Sequence, residues 1–240
     1  MRKIFTQAAL ALALVTVLPS CATTAFDYAS PLADPARPAA DTVRDADRKP
    51  GALMAFAGIK PGSVVVELAP GGGYYTRLLS LAVGPSGHIY TVSNRPSAAV
   101  TEWAKTHPNT TEQSGQLTAL APVRADAVWT ALNYHDFKNI KDGDSDMAAS
   151  LTKRAFAALK PGGIYLINDH EAGPGTGASV TSSLHRIEAA LVIKEVEAAG
   201  FKLDAQSNLL RHPEDNHTLH EKDVARGKTD QMVLRFRKPR

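Results

Sequence analysis

Two histidine–aspartate pairs carry side chains able to move protons: His135-Asp136 and Asp169-His170. An imidazole titrates near pH ~6.5, close to the working pH, so either histidine is a candidate general base, with Asp136 or Asp169 orienting it or binding substrate. The same residues, joined by His185, offer nitrogen and oxygen ligands to a divalent metal, with spacing too loose to name the ion. The general-base reading is preferred and the metal is kept as the alternative. A further constellation is Glu67-Leu68-Ala69-Pro70-Gly71-Gly72-Gly73. Its glycines let the backbone turn sharply and approach a ligand closely, and a helix N-terminus behind such a loop favours an anionic group.

The elements that must position these residues follow from hydrophobic pattern. Residues 63–68 form a continuous β-branched run bounded by turn residues, the mark of a central strand buried on both faces. A helix is predicted over 74–83, then strand 88–92, helix 96–105, strand 126–131, helix 147–159 and strand 164–168. Another parallel strand should lie within 109–123. A short helix over 51–59 precedes them all. Strands alternating with helices imply an α/β fold, a Rossmann-like doubly wound and mostly parallel sheet. Its end differs: one helix over 182–199 leads into strand 201–203, and strand 230–236 follows after a polar loop, so the two strands can pair as an antiparallel hairpin. In an open parallel sheet, ligands bind beyond the carboxyl ends of the strands. Asn133, Tyr134, His135 and Asp136 after one strand, and Asp169 and His170 after the next, should therefore face one cleft. Gly173, Gly175 and Gly177 suggest a lid over it. Arg186, one turn into the long helix, could hold an anionic substrate or form a surface ion pair. His212, His217 and His220 belong to a loop expected to be solvated.

The glycine loop, an acidic residue followed by spaced glycines, resembles the first motif of class I S-adenosylmethionine-dependent methyltransferases. Ala69 replaces that motif's first glycine. Leu159-Lys160-Pro161-Gly162-Gly163 and Glu195-Val196-Glu197-Ala198-Ala199-Gly200-Phe201 match at the right separations. The segments at 133–137, 169–172 and 184–186 look like those of an exported bacterial group of the superfamily, known as predicted methyltransferases. The resemblance implies methyl transfer from S-adenosylmethionine to a small-molecule acceptor. It implies cofactor contacts from Glu67, Ala69, Gly71, Gly73 and Tyr74 at the loop, from Ser93 and Asn94 at the ribose, and from Asn133. The superfamily normally has an acidic residue where Ser93 stands; a neutral side chain loses charge-assisted bonds that are roughly twice as strong. The alternative is an exported methyltransferase-like fold serving as an envelope protein that binds another ligand or a metal.

The 240 residues suffice for one sizeable core, and a formal net charge of only +3 gives no electrostatic footprint for nucleic acid. Arg2 and Lys3, an apolar run over 8–18 and small residues to 25 read as an export signal, too short to span a membrane. Cys21, the only cysteine, resembles the lipid-attachment site of bacterial lipoproteins, while Thr23-Thr24-Ala25 offers a competing cleavage site. The expected organisation is a signal peptide over 1–25, a Pro- and Asp-rich linker over 26–48 and the domain over 49–240, in an exported, periplasmic chain whose anchor, if the lipoprotein site is used, is Cys21. Contact with a membrane would come only through the lipid.

Overall fold

The β-branched run becomes β1 (Val64–Leu68), an inner strand of a seven-stranded sheet. The protein is seen as a computed structural model, in which residues 26–118 and 123–240 are described; the export signal, Cys21 and residues 119–122 lie outside the described residues. In chain order come α1 (Ala29–Leu32), α2 (Ala39–Thr42), α3 (Asp45–Arg48), α4 (Pro50–Ala57), β1, α5 (Tyr74–Val83), β2 (His88–Ser93), α6 (Ala98–Thr106), β3 (Thr110–Ser114), β4 (Ala125–Ala131) and α7 (Tyr134–Lys138). A small ribbon, β5 (Lys141–Asp142) and β6 (Ser145–Asp146), leads to α8 (Met147–Ala158), β7 (Leu159–His170), α9 (Thr181–Leu184), α10 (Ala189–Ala198), β8 (Lys202–Gln206) and β9 (Gln231–Arg237).

The sheet order is β3-β2-β1-β4-β7-β9-β8. Its first five strands run parallel, and β9 pairs antiparallel with both β7 and β8. This is the expected architecture, and β3 is the strand sought within 109–123. Period-two alternation sends neighbours to opposite faces. Val66, Val128, Tyr165 and Ile167 pack with α7, α8 and α10, whereas Val65, Trp129 and Leu166 pack with α4 and α5. Burying each such side chain contributes about 1.5–3 kcal/mol. No helix among the described residues is long and apolar enough to cross a membrane.

Three expectations are corrected. Residues 26–48 are not a free linker: α1–α3 lie on the domain, held by a buried Arg77–Asp41 pair (Nε to Oδ2 2.7 Å), by the Tyr74 hydroxyl, which donates to Asp45 (2.7 Å), and by Phe26, Tyr28 and Leu32 packed on the core, while a two-pronged Arg37–Asp45 pair (2.7 Å each) braces the segment internally. The single helix expected over 182–199 is broken between α9 and α10. His185 adopts φ +51°, and Ile187 runs extended beside the end of β7, its N–H donating to the His170 carbonyl. The break lets Ile187 enter the core and turns Arg186 inward. The loop expected as a lid is fastened instead, because the Glu188 carboxylate accepts the N–H groups of Gly175 (2.9 Å) and Gly177 (2.8 Å).

Candidate functional site

At the carboxyl end of β1 the chain turns through Ala69, Gly71 and Gly73, all at positive φ (+53°, +55° and +77°). The turn is held from behind. Asn133 Nδ2 donates to the Ala69 carbonyl (3.2 Å), Ser97 Oγ to Gly71 (2.7 Å) and Arg77 Nη2 to Gly72 (2.8 Å). A Cβ added at Gly71 or Gly72 would meet only open space, so this side of the loop faces a cavity of about 170 Å³ whose wall includes Glu67, Tyr74, Asn133, Arg44 and Arg48. Glu67 is buried and accepts the Thr76 hydroxyl (2.5 Å). Burial pushes its carboxyl up to about 7, against the pull of that hydroxyl and of Arg77. The guanidinium groups of Arg44 and Arg48 each lie 4.6 Å from the centre of the Tyr74 ring. Both arginines come from the segment that the sequence presented as a linker, and no apolar period marked them.

The left-handed backbone at Ala69 costs a residue with a Cβ roughly 1–2 kcal/mol. Ala69→Gly is therefore expected to stabilise the fold by about 1 kcal/mol, a rise of about 2–4 °C in Tm for a chain of this size. Thermal unfolding followed by circular dichroism measures it.

The second arm of the site is a histidine cluster. Buried Tyr134 and Phe137 fix α7 on the core, and Lys138 ties its end to Glu195 of α10 (2.6 Å). His135 is thereby set against the end of β7. Asp169, fully buried, accepts the backbone N–H of His135 (2.8 Å), its Nδ1 (2.7 Å) and the backbone N–H of His170 (2.8 Å). A carboxylate only accepts, so the His135 proton sits on Nδ1 and its Nε2 points to His185 Nδ1 (3.2 Å) and Asp136 Oδ1 (3.4 Å). Burial disfavours the His135 charge, but Asp169 and Asp136 outweigh it and raise its pKa. His170 is pushed the other way, down to about 4, chiefly by burial. Its Nδ1 is buried without a hydrogen-bond partner.

His170 lines a second cavity, of about 300 Å³, which shares Arg44, Arg48, Tyr75 and Leu132 with the first. Its far wall is the loop expected to be solvated, contributing Glu221, Lys222 and Arg226. That loop is folded down by His217 and Arg211 on buried Asp230 (3.0 and 2.7 Å) and by Arg186 on Asp215 (2.8 Å). Arg186 is fully buried, hence neither a substrate clamp nor a surface pair.

Glu67, Ala69, Gly71, Tyr74 and Asn133 thus border one cavity and His170 the next. Two residues expected at the ribose are engaged elsewhere: Ser93 Oγ donates to the Arg95 carbonyl (2.7 Å), and Asn94 Oδ1 accepts the Leu117 N–H (2.8 Å). His185, named in the sequence only as a further ligand, proves to be central to the histidine cluster.

The strand order, the glycine turn after β1 and the cavity above it define a Rossmann-like fold, one that solved S-adenosylmethionine-dependent methyltransferases share. No family model and no curated protein matches the sequence. Among solved structures, a SAM-dependent methyltransferase from Aquifex aeolicus is 15% identical over 89% of this chain and 99% of its own, with a TM-score of 0.59. The 1,6-didemethyltoxoflavin-N1-methyltransferase of Burkholderia thailandensis, seen with S-adenosylhomocysteine, is 18% identical over 83% and 80%, TM-score 0.57. The [4+2]-cyclase SpnF is similar to the same degree, 14% identical over 81% of each chain with a TM-score of 0.60. At these identities the likeness is one of fold.

The residues present fit one end of S-adenosylmethionine better than the other. A buried carboxyl, two guanidinium groups and an open glycine turn suit the ammonium and carboxylate of an amino acid. No carboxylate ends β2 to receive ribose hydroxyls.

Proposed function

We propose that the chain binds S-adenosylmethionine above the glycine turn and transfers its methyl group to a small acceptor in the adjoining cavity. The observation that carries this reading is the adjacency of the two cavities, one floored by Glu67 and the glycine turn, the other walled by a neutral histidine with an unpartnered ring nitrogen. When bound, the cofactor supplies an electrophilic methyl on a sulfonium. Glu67 would hold its ammonium and Arg44 or Arg48 its carboxylate. Methyl transfer is accelerated mostly by in-line positioning. Leu132 and Tyr75, common to both cavities, limit how the acceptor can lie. His170, kept unprotonated by burial, walls the cavity in which the acceptor would lie. Arg48, Lys222 and Arg226 favour an acceptor with an acidic group. Export is part of the proposal and rests on the residue order of the first 25 positions.

A second reading, a binding protein without methyl transfer, is favoured by Ser93 and Asn94, which are spent on backbone groups. Isothermal titration of the full chain with S-adenosylmethionine and S-adenosylhomocysteine separates the two. Micromolar binding is expected, and no binding of either leaves the second reading. The pH dependence is specific. An exposed glutamate releases its proton near 4.5, whereas folded Glu67 keeps it to about 7. Its raised pKa means that the ligand-free fold loses stability as pH rises across that window. A cationic ligand favours the ionised form, so affinity should rise from pH 5.5 toward roughly 7.5 and then level, by up to about tenfold per pH unit. In Glu67→Gln the slope should vanish; an unchanged slope removes Glu67 from the cofactor site.

A further inference from the structure

We infer that His135, Asp136 and His185 form a binding site for one divalent transition-metal ion, of which Zn²⁺ is the test case. Metal binding there does not require methyl transfer. The three donor atoms make a nearly equilateral triangle: His135 Nε2 to His185 Nδ1 is 3.2 Å, His185 Nδ1 to Asp136 Oδ1 is 3.3 Å, and His135 Nε2 to Asp136 Oδ1 is 3.4 Å. Ligands about 2.0–2.2 Å from a common ion stand about 3.3–3.6 Å apart in tetrahedral geometry and about 2.8–3.1 Å in octahedral, so the triangle matches one face of a tetrahedron. Asp169 takes the proton on His135 Nδ1, so Nε2 is the ring atom offered to an ion, and it converges with the Asp136 carboxylate on His185 Nδ1.

The surroundings point the same way. A metal-bound histidine typically gives its other N–H to a carboxylate, which fixes ring and tautomer, and Asp169 does this for His135. His185 holds its place through a left-handed backbone at φ +51°, a conformation rare for a residue with a Cβ and concentrated at ligand sites. This conformation breaks the helix expected over 182–199 and turns the imidazole toward His135, the ring centroids being 5.2 Å apart. Asp136 and the His185 side chain are 45% and 36% exposed, so the ion would keep open positions on its outer side. The His220 ring, 4.7 Å from that of His185 and beside Glu221, borders this opening. Two nitrogens and one carboxylate oxygen select a first-row transition ion over Mg²⁺, which prefers an all-oxygen shell.

The test uses the full chain, free of any tag and stripped with a chelator, titrated with Zn²⁺ in competition with a chromophoric chelator, and with Co²⁺ followed by its visible spectrum. One Zn²⁺ per chain with sub-micromolar Kd is expected, undisturbed by excess Mg²⁺. Asp136→Asn and His185→Ala should each weaken binding at least tenfold, and Asp169→Asn by about 10–100-fold, as loss of an outer carboxylate does elsewhere. His212→Gln, in the exposed His212–Glu214 pair, should bind like the parent. Circular dichroism checks each variant's fold; Asp136, being the most exposed of the three, keeps the test decisive if His185→Ala unfolds. Absence of stoichiometric Zn²⁺ binding by the parent overturns the site, as does parental affinity in folded Asp136→Asn.

Discussion

Replacing Arg186 by leucine should lower the free energy of unfolding by about 3–5 kcal/mol, the range for leaving one member of a buried ion pair without its partner. The Arg186 guanidinium is fully buried and binds Asp215 through Nη1 (2.8 Å) and Nη2 (3.2 Å), the Glu171 carbonyl through Nη1 (3.0 Å) and the Leu219 carbonyl through Nε (2.9 Å). One side chain thus joins the end of β7 to two points of the loop that walls the second cavity. Leucine fills part of the space but leaves the Asp215 carboxylate and two carbonyl groups with lost partners. Against a total of about 5–15 kcal/mol for a typical domain, the loss is a large fraction. Urea unfolding at pH 7 measures it, and a loss below about 1 kcal/mol would mean that water replaces the guanidinium without penalty.

The same pair sets an acid limit. Burial raises the Asp215 pKa, but the N–H groups of Asp230 and His217 together with Arg186 outweigh it, so the folded value lies below 3.8. A depressed carboxylate pKa contributes stability above the unfolded value and loses it as pH falls through the folded one. In Arg186→Leu one of the opposing forces is gone, and the acid decline of the remaining stability should begin at a higher pH than in the parent.

What could be read in the sequence was what repeats locally. A β-branched run between turn residues can only be an inner strand, and Val65 and Val66 indeed pack on opposite faces. Once the sheet is parallel, residues following its strands must share one edge, which by itself brings His135, Asp169 and His170 together. What escaped depends on pairings between distant polar residues. Arg77 and Asp41 are separated by 36 positions and His135 and His185 by 50, and neither pairing leaves an apolar period. The residues at 26–48 read as a linker because what fastens them, the bonds from Arg77 and Tyr74 and the scattered Phe26, Tyr28 and Leu32, follows no apolar period. Leu184, Ile187 and Leu191 keep helical spacing, which predicts an unbroken helix over 182–199. Burial of Arg186 and the contacts of His185 overrode that spacing, and a buried arginine has no signature apart from its partner, Asp215. Ser93 and Asn94 occupied the expected positions, but their hydrogen bonds to Arg95 and Leu117 were not inferable from residue type.

Asp169 is the other residue whose loss should be severe, and its variants separate two roles. Asp169→Ala removes the acceptor for three N–H groups, the backbone amides of His135 and His170 and the His135 ring, at a position with no solvent access. A destabilisation of about 3–5 kcal/mol is expected, because each stranded donor keeps its desolvation cost. Asp169→Asn retains the shape and one acceptor oxygen but turns an amide N–H₂ toward a donor, so the loss should be smaller, about 1–3 kcal/mol. The gap between the two variants measures how far shape alone preserves the strand-end turn. A double-mutant cycle isolates the imidazole's share. His135→Ala in the Asp169→Ala background should cost less than in the parent, by about 0.5–3 kcal/mol, since the ring has already lost its carboxylate. Strict additivity would instead mean that the backbone amides of His135 and His170 are what Asp169 chiefly serves, and that the His135 ring is held by its packing against α7 and β7.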